Sequence, residues 1–340
     1  MTNFDQSPRV EEIAARRAFI GAIGIALVAV SCVARAQPSA KPARVGWLGR
    51  SAGKETPAFK AFADGLHDLG YVIGENLVVD IRTPDHDKVE QYPEVARRLI
   101  ASGVDVILAS NPYAAEAVTK ATTIIPIVAV DFESDPVARG WVATLARPGG
   151  NVTGFFLDLP EISAKQLQML KEVKPNLMKV AALGDARVNE PQFRATEVGA
   201  QGARLTLQRF SVSGRDEISS ALMHAARWGA DALLLLSSPM IFTVMSQIAA
   251  SAVKHRLPSI SLFVPFFAEA GGLMAYGPTF VDPFRRAASY VDRILKGARA
   301  AELPVQRPTK FELVINVKTA TALGVAMPAP LLVRADRLIE

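Results

Sequence analysis

From residue 44 onward the chain alternates short apolar runs with longer stretches in which apolar positions recur every three or four residues. Arg44–Leu48 (RVGWL) reads as a strand. Pro57–Leu69 places Phe59, Phe62, Leu66 and Leu69 on one helical face, and Gly70 closes that helix. Asn76–Ile81 reads as a strand and Val89–Ile100 as a helix. Val104–Ala109 (VDVILA) is a mostly apolar run, the mark of a strand buried on both faces. A helix at Tyr113–Thr122 and a strand at Ile124–Val130 follow. Asp131–Leu145 adds an acidic turn and a short helix, and Arg147–Asn151 (RPGGN) is a loop signal.

The alternation then restarts. Strands are predicted at Val152–Phe156, Lys179–Leu183, Arg204–Phe210, Ala232–Leu236 and Ser259–Phe263. Helices are predicted at Ile162–Val173, Gln192–Gln201, Asp216–Trp228 and Phe242–His255. Strands that alternate with helices make βαβ units and parallel sheets. The fold class is therefore α/β: two Rossmann-like lobes with parallel central sheets. A late strand, Gly272–Tyr276, finds the second sheet already full and is expected to extend the first sheet beside Arg44–Leu48. Val281–Lys296 then packs on the first lobe, and Phe311–Val317 crosses back. The expected division is residues 37–151 plus 272–304 for the N-terminal lobe and 152–271 plus 305–340 for the C-terminal lobe. Three crossings join them as a hinge, with a ligand cleft between.

The first 36 residues are set aside as an export signal. Arg16-Arg17-Ala18-Phe19 precedes the apolar run Ile20–Val30, and Ala34-Arg35-Ala36 has the small-residue form of a cleavage site. The paired arginines also suit a twin-arginine signal. Cleavage there removes Cys32, the only cysteine, leaving no disulfide and no thiol nucleophile; a lipid anchor at Cys32 is the competing reading. With the signal removed, no stable membrane span is expected. The net charge of +5 is spread thinly, without basic runs and interleaved aromatics, so nucleic acid is not an expected partner. No metal-ligand spacing and no G-x-G-x-x-G after a strand is present, so no cofactor and no metal are expected.

Several segments carry a resemblance: Leu145–Gly154 (LARPGGNVTG), Lys254–Ile260 (KHRLPSI), Glu269–Pro278 (EAGGLMAYGP), Phe284–Gly297 and Leu303–Gly324. Together they resemble the substrate-binding proteins of an ABC-transporter family, similar to type I periplasmic binding proteins and including tryptophan- and other aromatic-amino-acid-binding members. The resemblance spans Arg44 to Glu340. It implies a periplasmic, monomeric, non-enzymatic receptor. Such a receptor captures a small solute, an amino acid or related carboxylate, by lobe closure. It then passes the solute to an ABC permease driven by a cytosolic ATPase. The chain itself has no Walker A pattern.

Ligands of open α/β sheets bind outside the carboxyl ends of strands. That rule selects Ser51 after the first strand, Ser110, Asn111 and Tyr113 after Val104–Ala109, and Asp131, with Glu133 and Ser134, after Ile127–Val130. On the second lobe it selects Phe155, Asp158, Asp185, Ser237 and Phe263. Ser110-Asn111-Pro112 opens a helix, which suits a carboxylate; an ordinary N-cap explains the same residues. Asp131, Asp158 and Asp185 are candidates for an ammonium group. For Trp47, core packing competes with ligand contact. Two other functions are weighed. One is a sensing protein that feeds a signalling receptor. The other is a serine hydrolase, because Gly49-Arg50-Ser51-Ala52-Gly53 matches G-x-S-x-G after a strand. That match lacks the preceding strands and an oxyanion loop, and none of the four histidines supplies an obvious third member.

Overall fold

The fold follows from the pairing of twelve strands, seen in a computed structural model that describes residues 41–49, 56–84 and 88–340. The first sheet holds β1 (Ala43–Leu48), β2 (Leu77–Arg82), β3 (Val106–Ala109), β4 (Ile127–Asp131) and β5 (Val152–Phe156) in the order β2-β1-β3-β4-β5, all parallel. The second holds β6 (Lys179–Asp185), β7 (Thr206–Val212), β8 (Ala232–Leu235), β9 (Ser259–Ser261) and β10 (Met274–Pro278). Its order, β7-β6-β8-β9-β10, repeats that of the first sheet, and β11 (Phe311–Asn316) and β12 (Arg337–Ile339) extend it. Of these pairings only β10 with β11 is antiparallel. The central strands β3 (VILA) and β8 (ALLL) are buried along their whole length, as covered faces on both sides require.

Two expectations about strand placement are corrected. Val152–Phe156 does not open the second lobe: it pairs with β4 and completes the first sheet. The strand in 272–278 does not extend the first sheet: it pairs with β9 and β11 in the second. The cause is a count of strands. Each lobe closes its parallel series at the fifth strand, not the fourth, and the chain leaves after it. Both fifth strands lie hard against the fourth at a glycine. A Cβ on Gly154 (φ +135°) would stand 2.0 Å from the Ala129 carbonyl oxygen, and one on Gly277 would stand 2.4 Å from that of Leu262.

The helix after β10 does return. Asp282–Leu295 lays its strongly one-sided apolar face against Pro57–Asp68 and the first sheet, and Gly65 lets the two helices approach, since a Cβ there would meet the Arg285 carbonyl at 2.7 Å. Three crossings therefore join the lobes: after β5, after β10, and before β11. At its lobe-1 end the third is still hydrogen-bonded to β5, with Gln306 donating to the Gly154 carbonyl at 2.8 Å. Further on it runs beside the second, with Thr279 donating to the Lys310 carbonyl at 3.1 Å.

Two helix expectations change as well. Asp131–Leu145 forms turns rather than a helix. The Asp135 carboxylate accepts the Val137 and Ala138 amides, and Gly140 has φ +70°. The stretch 239–254 is two helices, Pro239–Thr243 and Met245–Lys254, broken at Val244.

Candidate functional site

Both sheets have the order 2-1-3-4-5, which puts a topological switch point between the first and third strand of each lobe. The third strands end in matching sequences. After β3 comes Ser110-Asn111-Pro112, and after β8 comes Ser237-Ser238-Pro239. Each opens a helix with proline in its first turn. Asn111 Oδ1 accepts the Ala114 amide at 2.8 Å and Ser238 Oγ accepts the Ile241 amide at 3.1 Å. The two caps line opposite walls of one cavity of about 190 Å³.

The rest of that cavity is mostly aromatic. Trp47 at the end of β1 and Phe132 after β4 come from the first lobe. Phe242, Phe263 and Phe266 come from the second. Phe280 lies on the second crossing, and Phe284 on the helix beyond it. The rings form a continuous series from lobe to lobe. Trp47 stacks on Phe284 with centroids 5.7 Å apart, Phe284 meets Phe280 at 5.7 Å, Phe280 meets Phe266 at 5.5 Å, and Phe266 meets Phe242 at 5.3 Å. Each such pair contributes ~0.5–1.5 kcal/mol beyond its buried area.

Glu133 is the one charged group among the described lining residues. It sits in the turn after β4 and is 7% exposed. Burial, reinforced by the negative charge of Asp131, pushes its carboxyl well above the usual glutamate range, while the Ser237 side chain from the other lobe works the opposite way. Asp131 is wholly buried, and its Oδ1 accepts the amides of Glu133 and Ser134 at 2.9 and 3.1 Å, which shapes the turn that presents Glu133. Burial raises the Asp131 carboxyl too. Glu133 is among the residues that the end of β4 selects, and it lines the cavity. Within the acidic run Asp131-Phe132-Glu133, Phe132 and Glu133 face the cavity and Asp131 does not.

The selected residues divide. Ser110, Asn111 and Phe263 line the cavity. Ser237 lies beneath its wall: its carbonyl accepts from Asn189 and Gln192, at 2.6 and 2.9 Å. Phe155 is fully buried between the Tyr290 ring (5.2 Å) and the Arg286 guanidinium (5.0 Å). Asp158 caps Leu159–Val173 and pairs with Arg307, so it ties the first crossing to the third. Tyr113 and Asp185 meet each other across the lobes, the hydroxyl donating to Asp185 Oδ2 at 2.6 Å. Trp47 both packs in the core and lines the cavity. Ser51, with the G-x-S-x-G match, and the export signal lie outside the described residues.

A second, wider groove of about 780 Å³ runs between the lobes beside the first and third crossings. Its arginines are matched by acids: Arg139 with Glu116, Arg187 with Asp185, Arg194 with Glu190 and Arg307 with Asp158. It lies away from the switch points and does not combine rings with a lone carboxyl. The smaller cavity is therefore the candidate site. Among the described residues no His, Cys, Asp or Glu cluster could hold a metal ion, and no helix is long and apolar enough to cross a membrane.

The comparisons agree with this architecture. A curated tyrosine-binding protein of Clostridioides difficile is 26% identical over 268 residues, covering 78% of this chain and 76% of the relative. An ABC domain from Streptococcus pneumoniae, solved in complex with L-Trp, is 26% identical and superposes with a TM-score of 0.79 over 88% of this chain and all of the other. A conserved domain protein from Vibrio cholerae is 25% identical, with the same TM-score and coverage. The family model for ABC transporter substrate binding proteins matches residues 55–339, and the chain belongs to that family.

Proposed function

We propose that the protein is the extracytoplasmic receptor of an ABC importer, and that it captures an amino acid with an aromatic side chain and hands it to a membrane permease. One observation carries the ligand class: a lobe-to-lobe series of aromatic rings encloses a small cavity whose one charged described lining group is Glu133. A flat apolar side chain fits among the rings. A carboxylate fits the N-terminus of Pro112–Ala121, where the helix dipole favours negative charge. Glu133 supplies the counter-charge for an ammonium group. A plain aromatic acid leaves that carboxyl without a counter-charge, so a zwitterion is the better match. The names of two relatives, one tyrosine-binding and one holding L-Trp, point the same way. The reading of residues 1–36 as an export signal supports a location outside the cytoplasmic membrane.

The test is mass spectrometry of solute co-purified with the native protein, followed by thermal shift. L-Trp, L-Tyr and L-Phe are compared with tryptamine, which lacks the carboxylate, and indole-3-propionate, which lacks the ammonium. The aromatic amino acids are expected to raise the melting temperature most. A protein that none of the three stabilises, and that carries an unrelated solute, overturns the ligand class.

A further inference from the structure

The lobes touch at a place that is not part of the cavity lining. Tyr113 stands on the first turn of Pro112–Ala121 in the first lobe, and its hydroxyl donates to Asp185 at the end of β6 in the second. The contact is 2.6 Å long, Tyr113 is 7% exposed, and Asp185 is wholly buried. Such a bond to an ionised carboxylate is of the strong, charge-assisted kind. Arg187 completes it. Its guanidinium binds both Asp185 oxygens at 2.9 Å, and it lies over the Tyr113 ring at 5.6 Å. Asp185 is therefore neutralised from its own lobe and free to accept from the other.

Each half of this contact is wired to one wall of the cavity. On the first lobe, Asn111 lies two residues before Tyr113 on the cavity wall and donates to the Tyr92 hydroxyl at 3.1 Å; the Tyr92 ring packs on Tyr113 at 5.6 Å. On the second, Asn189 Oδ1 accepts the Asp185 amide at 2.5 Å while its Nδ2 donates to the Ser237 carbonyl at 2.6 Å, beside Ser238 on the opposite wall. We propose that Tyr113, Asp185 and Arg187 form a latch that holds the lobes closed and sets how long captured solute stays, without touching the solute. The latch rests on the reading of the chain as a two-lobe receptor, but not on which solute it takes.

The experiment places spin labels on the two helices that flank the latch, at Lys120→Cys and Val198→Cys in a Cys32→Ser background of the full chain. Interlobe distances are measured by electron–electron double resonance, with and without L-Trp and L-Tyr. Wild type is expected to show a short-distance population that ligand enriches. Tyr113→Phe keeps the ring and removes only the donor. It is expected to shift the ligand-free distribution toward longer distances and to raise ligand dissociation about tenfold, with association changed less than about twofold. The ratio of L-Trp to L-Tyr affinity should stay as in wild type. Arg187→Gln, at a partly exposed position, gives the same readout by a second route should the first variant fold poorly. Distance distributions that coincide in wild type and both variants overturn the latch. So does a wild type with no short-distance population under any condition. An altered ratio of affinities in Tyr113→Phe overturns it too, by making Tyr113 a ligand contact. If neither amino acid binds wild type, the ligand class fails, while the ligand-free distributions still decide the latch.

Discussion

Glu133 is where the chemistry of single residues is most exposed to test. Folding buries its carboxyl beside Asp131, and both effects push it toward the neutral form. In the unfolded chain an ordinary glutamate ionises near pH ~4.3. Between that pH and the raised folded value, the native state binds more protons than the unfolded one, so stability falls as pH rises. The ligand-free protein should therefore lose stability in denaturant titrations as pH rises above the unfolded-chain value, and Glu133→Gln should reduce the dependence, leaving the part that buried Asp131 contributes with the same sign. Binding has the opposite slope. An ammonium group favours the ionised carboxylate, so capture expels a proton and weakens as pH falls. Glu133→Gln keeps the shape and removes the charge; a lost charge-assisted hydrogen bond corresponds to ~1.5–3 kcal/mol, or roughly 10- to 100-fold in affinity for aromatic amino acids. By calorimetry, indole-3-propionate should bind the variant no worse than wild type. Equal loss for both ligands means that Glu133 shapes the wall and does not pair with the ammonium.

At the scale of elements, periodicity located the strands from Ala43 to Asn316 and the longer helices, because buried faces impose their spacing on sequence, and it passed over the short elements Phe266–Glu269, Ala329–Arg334 and Arg337–Ile339. What it did not supply was membership. Val152–Phe156 and Met274–Pro278 are short apolar strands followed by a turn and a helix, and nothing in such a run states which sheet edge it joins. The signal that did exist is the glycine within each. Gly154 in VTGFF and Gly277 in MAYGP stand where the neighbouring strand's backbone comes too close for any Cβ. The site was legible to the same degree. Strand ends led to Ser110, Asn111, Glu133 and Phe263, but not to Phe280 and Phe284, which enter the cavity only because the second crossing and its helix fold back over the first lobe. Gly154→Ala tests the corrected sheet. It forces a side chain into positive φ and against the Ala129 carbonyl. It should cost about 3 kcal/mol or more, the sum of backbone strain and displaced pairing. Chemical denaturation checks this; a loss below about 1 kcal/mol means that β5 is free to move away from β4.

The whole molecule is organised by its crossings. Arg286 touches all three: its guanidinium lies over Phe155 at the end of the first, bonds Gln306 on the third, and reaches Asp282 at the end of the second at 3.8 Å. Lobes tied this way cannot separate, but they can rotate about the crossings, and a solute held between them stabilises both at once. A ligand that binds only the native state adds RT ln(1 + [L]/Kd), or ~2.7 kcal/mol at 100 times Kd. For a domain of this size each kcal/mol moves the melting point by roughly 2–4 °C, so saturation should raise it by about 5–10 °C. Hydrogen exchange then tells where that energy is placed. Ligand in the aromatic cavity should slow exchange in both lobes together, in the turn at 131–134, at the start of Pro112–Ala121 and around Pro239–Thr243. Ligand in the wider groove would instead protect 135–139 and 187–198 and leave the two caps unchanged. Protection confined to one lobe would mean that solute docks on an open surface, and that closure across the three crossings is not what captures it.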